Sequence, residues 1–230
     1  MVLPVRDSAQ RRRYPWLTLA LIMMNVAIFG LEVVAGPAAW RLLGVLAVVP
    51  TQVLDPAAWT AGPGWLLLSL VASTFLHGSW AHLLGNMLYL WIFGDNVEDV
   101  LGPWRYLIFY LLCGVLANVA HVLANPASAV PTIGASGAVA GVLGAYILFF
   151  PRAKVLTLVP VGPVVPAIRV PAWAYLSLWF LFQLVSGLAP IWVRDLTQTV
   201  AFWAHISGFL TGIALARLLL PAQRNPVAGR

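Results

Sequence analysis

The stretch Gly134-Ala135-Ser136-Gly137-Ala138-Val139-Ala140-Gly141-Val142-Leu143-Gly144-Ala145-Tyr146-Ile147-Leu148-Phe149-Phe150 carries no charge, has a serine near its start and is closed by Pro151. Pro131 and Gly134 bar an earlier beginning, so a helix here runs from Ser136 to Phe150. That is 15 residues, or about 22 Å at ~1.5 Å per residue, against ~30 Å for the hydrocarbon core of a bilayer. Such a helix is too apolar for water and too short to cross. If its inner end is level with one membrane surface, Ser136 lies roughly 8 Å below the other.

The rest of the chain is as apolar. Of 230 residues, 61% are hydrophobic and only 9% charged, against about 25% charged in soluble domains; mean hydropathy is +0.90. A soluble enzyme and a disordered chain are both excluded. Six spans are predicted: Pro15 to Gly36, Trp80 to Val100, two within Tyr106 to Pro151 divided at Asn125-Pro126, Pro131 and Gly134, then Val170 to Val193 and Gln198 to Leu220. Gly64 to Leu76 is 13 residues, a length suited to an interfacial or re-entrant piece. It lies in a long first external loop, about Pro37 to Ser79, rich in proline and glycine and expected to be partly embedded. With the N-terminus inside, eleven Lys and Arg face the cytoplasm and two, Arg41 and Arg194, face out, which sets the orientation. Arg11-Arg12-Arg13 before an apolar run resembles a signal peptide, but the run is too long and is read as a retained span. The expected organisation is 1–14 as a cytoplasmic N-terminal segment, 15–220 as an all-α, six-helix membrane domain, and 221–230 as a cytoplasmic tail.

Polar groups at membrane depth are costly, and each is a functional candidate. They are Asn25, Glu32, His82, Asn86, Asn118, His121, Ser136, Ser177, Gln183 and His205. Asn25, Ser177 and Gln183 read as hydrogen-bonding glue between helices, as do Asn118 and His121. Depth separates the others. His205 lies seven residues into the sixth span, ~10 Å deep. Asn86 lies near the outer end of the second span, with His82 one turn shallower on the same face. All fall near the depth of Ser136, on the outer side. Gly137, Gly141 and Gly144 in the fourth span, and Ala204, Gly208, Gly212 and Ala216 in the sixth, are stripes of small residues that let two backbones approach. Facing each other, they bring Ser136 to His205.

A serine beside a histidine is a nucleophile and its general base. Asp95, Glu98 and Asp99 fall at the cytoplasmic end of the second span, and Glu32 and Asp195 near the outer surface. A dyad is therefore expected in place of a carboxylate-completed triad. The recessed N-terminus of the fourth span offers backbone N–H groups, and His82 and Asn86 offer side-chain donors, for an oxyanion. There is no H-E-x-x-H, no pair of intramembrane aspartates and no lysine after the glycines, so no metal or cofactor is expected. Cys113 alone excludes a disulfide framework. The net charge of +6 comes from positive-inside loops and not from nucleic-acid binding, and a transporter would need repeats and midplane charges that are not seen.

These residues resemble the rhomboid family of intramembrane serine proteases. Gly134-Ala135-Ser136-Gly137 resembles its G-x-S-G motif, Ala204-His205-Ile206-Ser207-Gly208 its motif in the sixth span, and His82-x-x-x-Asn86 its motif in the second. Phe75-Leu76-His77, Gly94, Glu98 and Gly102 fit the same pattern, and the likeness covers roughly 65–215. The resemblance implies that Ser136 is the nucleophile and His205 the base, and that His82, Asn86 and the Ser136 N–H hold the oxyanion. It implies that Gly134 allows a close turn, Gly137 and Gly208 a close helix contact, and that His77 is structural, holding the first loop. It also implies a multi-pass protein of a bacterial cytoplasmic membrane, termini inside, that cleaves single-span membrane proteins near the outer face. Substrates would come in from the lipid between the second and fifth spans, beside Pro171, Trp173, Trp179, Phe180 and Phe182. A silent member that only binds transmembrane helices would lack the serine or histidine. One departure stands out: some members carry a tyrosine against the imidazole four residues after the nucleophile, where this chain has Ala140, so something else must orient His205.

Overall fold

The computed structural model describes residues 3–36, 44–192 and 200–221. Arg41, Arg194, Arg224 and Arg230, which enter the charge asymmetry, lie outside them, as do Asp195, Gln198 and nearly all of the tail.

Helix α1 is Trp16–Ala35. Among its described residues, the connection after it includes short helices opened by proline at the first position: α2 (Pro50–Val53), α3 (Pro56–Ala61, capped by the Asp55 carboxylate at 2.9 Å from Ala57 N) and α4 (Pro63–Ala72). A single 3-10 turn, Ser73–Phe75, follows. Helix α5 (Trp80–Tyr89) runs through a π-turn, Leu90–Gly94, into α6 (Asp95–Leu101). Then come α7 (Pro103–Ala124), α8 (Ser136–Phe149), α9 (Ala172–Leu188) and α10 (Phe202–Leu219). By length and composition α1, α7 and α10 can each cross a membrane. Pro63–Phe75 and Trp80–Leu101 qualify as a pair, bent by 81° at the break, while α8 and α9 are apolar but shorter.

Helix α8 occupies the centre. Every residue from Gly137 to Tyr146 is buried, as a helix apolar on all sides requires. It packs against α7 and α10, and the short side chains of α8 and α10 let them nearly touch. A Cβ built on Gly208 would lie 2.2 Å from the Gly137 carbonyl oxygen, one on Gly212 2.1 Å from that of Gly141, and one on Gly144 2.1 Å from that of Phe209. The two small-residue stripes do face each other.

The structure corrects the all-α expectation. Leu3–Arg6 (β1), Lys154–Leu158 (β2) and Ala167–Pro171 (β3) form a three-stranded antiparallel sheet in that order. Register runs Leu3↔Leu158 on one side and Lys154↔Pro171 to Leu158↔Ala167 on the other. The sheet follows the C-terminal end of α8, opposite Ser136, and fixes the N-terminal segment to the helices. Arg11 pairs with Asp95 at 2.7 Å, and Asp7 accepts from Asn96 at 3.0 Å and from the Tyr146 hydroxyl. Glu98 takes the Leu17 and Thr18 amides (3.0 and 2.7 Å) and the Thr18 hydroxyl (2.7 Å). It thereby caps the first turn of α1, whose N–H groups have no helical partner.

Candidate functional site

The loop before α8 is held at both ends. Val48 and Thr132 exchange amide bonds (3.0 and 2.8 Å), and Gly134 N–H donates to Ser73 O at 2.8 Å. Gly134 then turns with φ +119°, a conformation open to glycine and strained for other residues. A Cβ there would also lie 2.5 Å from His82 Cε1, 2.6 Å from His82 Nε2 and 3.7 Å from Asn86 Nδ2. Gly134 thus brings the chain directly against both predicted oxyanion donors. The next residues start α8, whose first intrahelical bond is Val139 N–H to Ala135 O (2.9 Å). The amides of Ser136, Gly137 and Ala138 precede it, at the positive end of the helix.

His82 and Asn86 project from α5, whose first turn is capped by the Ser79 hydroxyl, 3.2 Å from His82 N. Asn86 is buried, with Nδ2 3.1 Å from His77 Nε2. His77 is 1% exposed, rings with His82 at a centroid distance of 5.1 Å, and its backbone N–H faces the Glu32 carboxylate at 3.4 Å. It therefore backs the side chains of the site as well as joining α1 to the segment before α5.

His205 arrives from α10. The helix begins at Phe202, so His205 stands in its first turn and not seven residues in; its amide is bonded to Ala201 O at 3.3 Å. Ser136, His205, His82 and Asn86 all line one cavity of about 790 Å³, together with His121, Trp179 and Gln183. Gln183, read from sequence as helix glue, points its Oε1 at His205 Nδ1 across 2.8 Å and is 5% exposed. The Trp179 ring lies 6.1 Å from the imidazole at 34°. These two α9 side chains contact the imidazole in a chain whose residue four positions after Ser136 is Ala140. Their signal in the sequence was a glutamine and a tryptophan one turn apart on a mostly apolar helix. Phe182, grouped with Trp179 in the sequence, faces outward and is 62% exposed. Asn118 behaves as glue, bonding Leu70 O (2.9 Å) and Ser73 Oγ (3.0 Å). Among the described residues, no group of three or more His, Cys, Asp or Glu could hold a metal ion.

The sequence model described as "Rhomboid domain" matches residues 64–222. Rhomboid protein 1, mitochondrial, of Saccharomyces cerevisiae is 32% identical over 204 residues, 86% of this chain and 51% of that protein. Rhomboid-like protein 11, chloroplastic, of Arabidopsis thaliana is 35% identical over 160 residues, 68% of this chain and 53% of that one. Rhomboid protease GluP of Bacillus subtilis is 32% identical over 132 residues, 57% and 24% respectively. The chain spans about half the length or less of these relatives. Two of their names place them in organelles, so they lend no support to a bacterial cytoplasmic membrane in particular.

Proposed function

We propose, because this chain belongs to the rhomboid family, that it is a serine endopeptidase working inside the membrane on single-span proteins. The observation that carries the reading is the shared cavity. Ser136 at the start of α8 and His205 in the first turn of α10 open onto it, on two helices in backbone contact beside them at Gly137 and Gly208. Six spans with both termini inside, formed by α1, α5–α6, α7, α8, α9 and α10, put that cavity toward the outer face. In this reading the described part of the connection after α1, residues 44–79, lies toward the same surface, and residues 15–220 form the membrane domain.

In this reading His205 Nε2 takes the proton of Ser136 Oγ as that oxygen attacks the scissile carbonyl carbon. The oxyanion is held by first-turn amides of α8, Asn86 Nδ2 and His82. The imidazolium returns the proton to the departing amine, and the peptide bond breaks to leave an ester on Ser136. Water, deprotonated by His205, then hydrolyses the ester and restores the serine.

The test uses purified protein in detergent, a panel of single-span substrates and a fluorophosphonate probe. Wild type cleaves and is labelled, while Ser136→Ala and His205→Ala do neither yet stay folded. Wild type that captures transmembrane helices without labelling or cleavage is a silent member of the family. Cleavage by Ser136→Ala overturns the mechanism.

A further inference from the structure

We infer that Gln183 is the positioning residue for His205: its amide oxygen accepts the Nδ1 proton of the imidazole and so leaves Nε2 free to act as base. The inference rests on the assignment of His205 under Proposed function.

A neutral imidazole carries one ring proton, and the hydrogen bond made by one nitrogen decides which nitrogen holds it. With the proton on Nδ1, the lone pair of Nε2 can take the serine proton. With the proton on Nε2, the ring cannot act as a base toward Ser136. Gln183 Oε1 lies 2.8 Å from Nδ1, the distance of a sound N–H···O bond. The amide turned the other way would present Nε2–H₂ to Nδ1 and force the wrong tautomer.

Gln183 suits this task where a carboxylate would be costly. It is 5% exposed, and an ionised group at such a site suffers a desolvation cost that a neutral amide avoids. Its helix, Ala172–Leu188, supplies the second restraint as well. Trp179 stands one turn earlier on the same face, with its ring 6.1 Å from the imidazole. Gln183 fixes rotation within the ring plane, and Trp179 limits tilt. Ala140, which lines the same cavity, has only a methyl group and no acceptor to offer the ring.

Two alternatives predict opposite variant behaviour. If Gln183 only packs, Gln183→Met, matched in length, stays active and Gln183→Glu, which buries a charge, fails. If it accepts from Nδ1, Gln183→Met lowers kcat about 10²-fold, within the range general bases contribute, with KM unchanged, and the labelling rate of the fluorophosphonate falls in parallel. Gln183→Glu, an acceptor of the same shape, recovers kcat over Gln183→Met while its buried charge lowers the thermal midpoint.

A second readout needs no active variant. The chain has four histidines, so selective ¹⁵N-histidine labelling resolves their ring nitrogens, and His205→Ala assigns the set in question. Wild type should show His205 protonated on Nδ1, and Gln183→Met should show a mixture of tautomers. Nδ1 without a proton in wild type, or Gln183→Met with wild-type kcat, overturns the inference. Should wild type neither cleave nor label, the proposed function fails, while the tautomer spectrum still decides the bond between Gln183 and His205.

Discussion

Gly208→Ala adds one methyl group where the structure has no room for it. That carbon would sit 2.2 Å from the Gly137 carbonyl oxygen, 3.1 Å from its carbonyl carbon and 3.3 Å from Ala140 Cβ, whereas real Cβ contacts essentially never fall below 3.0 Å. The nearest obstacles are backbone atoms of a buried helix, which cannot swing aside as a side chain can. Helices α8 and α10 must therefore part by about 1 Å, at a cost typical of overpacking, ~1–3 kcal/mol. Gly208 lies one turn beyond His205, and Gly137 follows Ser136 directly, so the separation passes straight into the gap between hydroxyl and imidazole. A displacement of ~1 Å at reacting groups can cost ~10²-fold in rate. The expected result is a kcat near one hundredth of wild type on a transmembrane substrate in detergent, with a lowered thermal midpoint. Gly212→Ala meets the Gly141 oxygen at 2.1 Å, one turn farther from the site, and should lose as much stability but less activity. Gly30→Ala, whose methyl meets nothing within 4 Å, should keep full activity and gain up to about 1 kcal/mol from helix propensity. Gly208→Ala with wild-type kcat and midpoint would refute the account of the helix contact.

Asn86→Ala should lower kcat by ~10- to 1,000-fold, as loss of one oxyanion donor among several does, and His82→Ala more mildly; unchanged steady-state kinetics in both would leave the oxyanion to backbone amides alone. Trp179→Ala should slow cleavage because its ring restrains His205, whereas Phe182→Ala, trimming an outward ring, should not; equal slowing in both would erase the distinction drawn from their burial. Burial pushes the Asp7 carboxyl from 3.8 up to about 6, with Asp95 adding to the rise and the Tyr146 hydroxyl opposing it. A folded-state value above the unfolded one means the contribution is complete below pH about 4 and lost as pH rises through 6. The thermal midpoint of wild type should accordingly fall more between pH 5 and 7 than that of Asp7→Asn, and parallel curves would count against it. Replacing glycine or proline near the cut in a substrate with leucine should slow cleavage, since exposing a helical carbonyl then costs ~1–3 kcal/mol more per residue; rapid cleavage of a uniform leucine span would contradict the mechanism.

What the sequence revealed and what it hid follow from the range of the interactions involved. The break between α7 and α8 was legible because prolines and glycine act locally, and the facing stripes were legible because close packing restricts side-chain size. The sheet was hidden because its strands have four or five residues and gain their partners only in the fold; nothing in Leu3-Pro4-Val5-Arg6 points to Leu158. The start of α10 was misplaced because the apolar pattern gives no stop signal before Phe202, where the helix begins. Gln183 looked like any polar residue among apolar neighbours, since only the crossing of α9 and α10 sets its amide opposite His205.

The pairing of Leu3 with Leu158 dictates an order of events during synthesis. Strand β1 is made well before its neighbour, which emerges only after four of the six proposed spans have been made. At ~5–20 residues per second, β1 waits on the order of 10–30 s with its edge unpaired. Pro4, which has no N–H to offer a stray strand, and charged Arg6 make the waiting segment a poor template for mispairing. Its docking then closes a contact spanning more than 150 residues, so a strand made early finds its place only after most of the helices beside it exist.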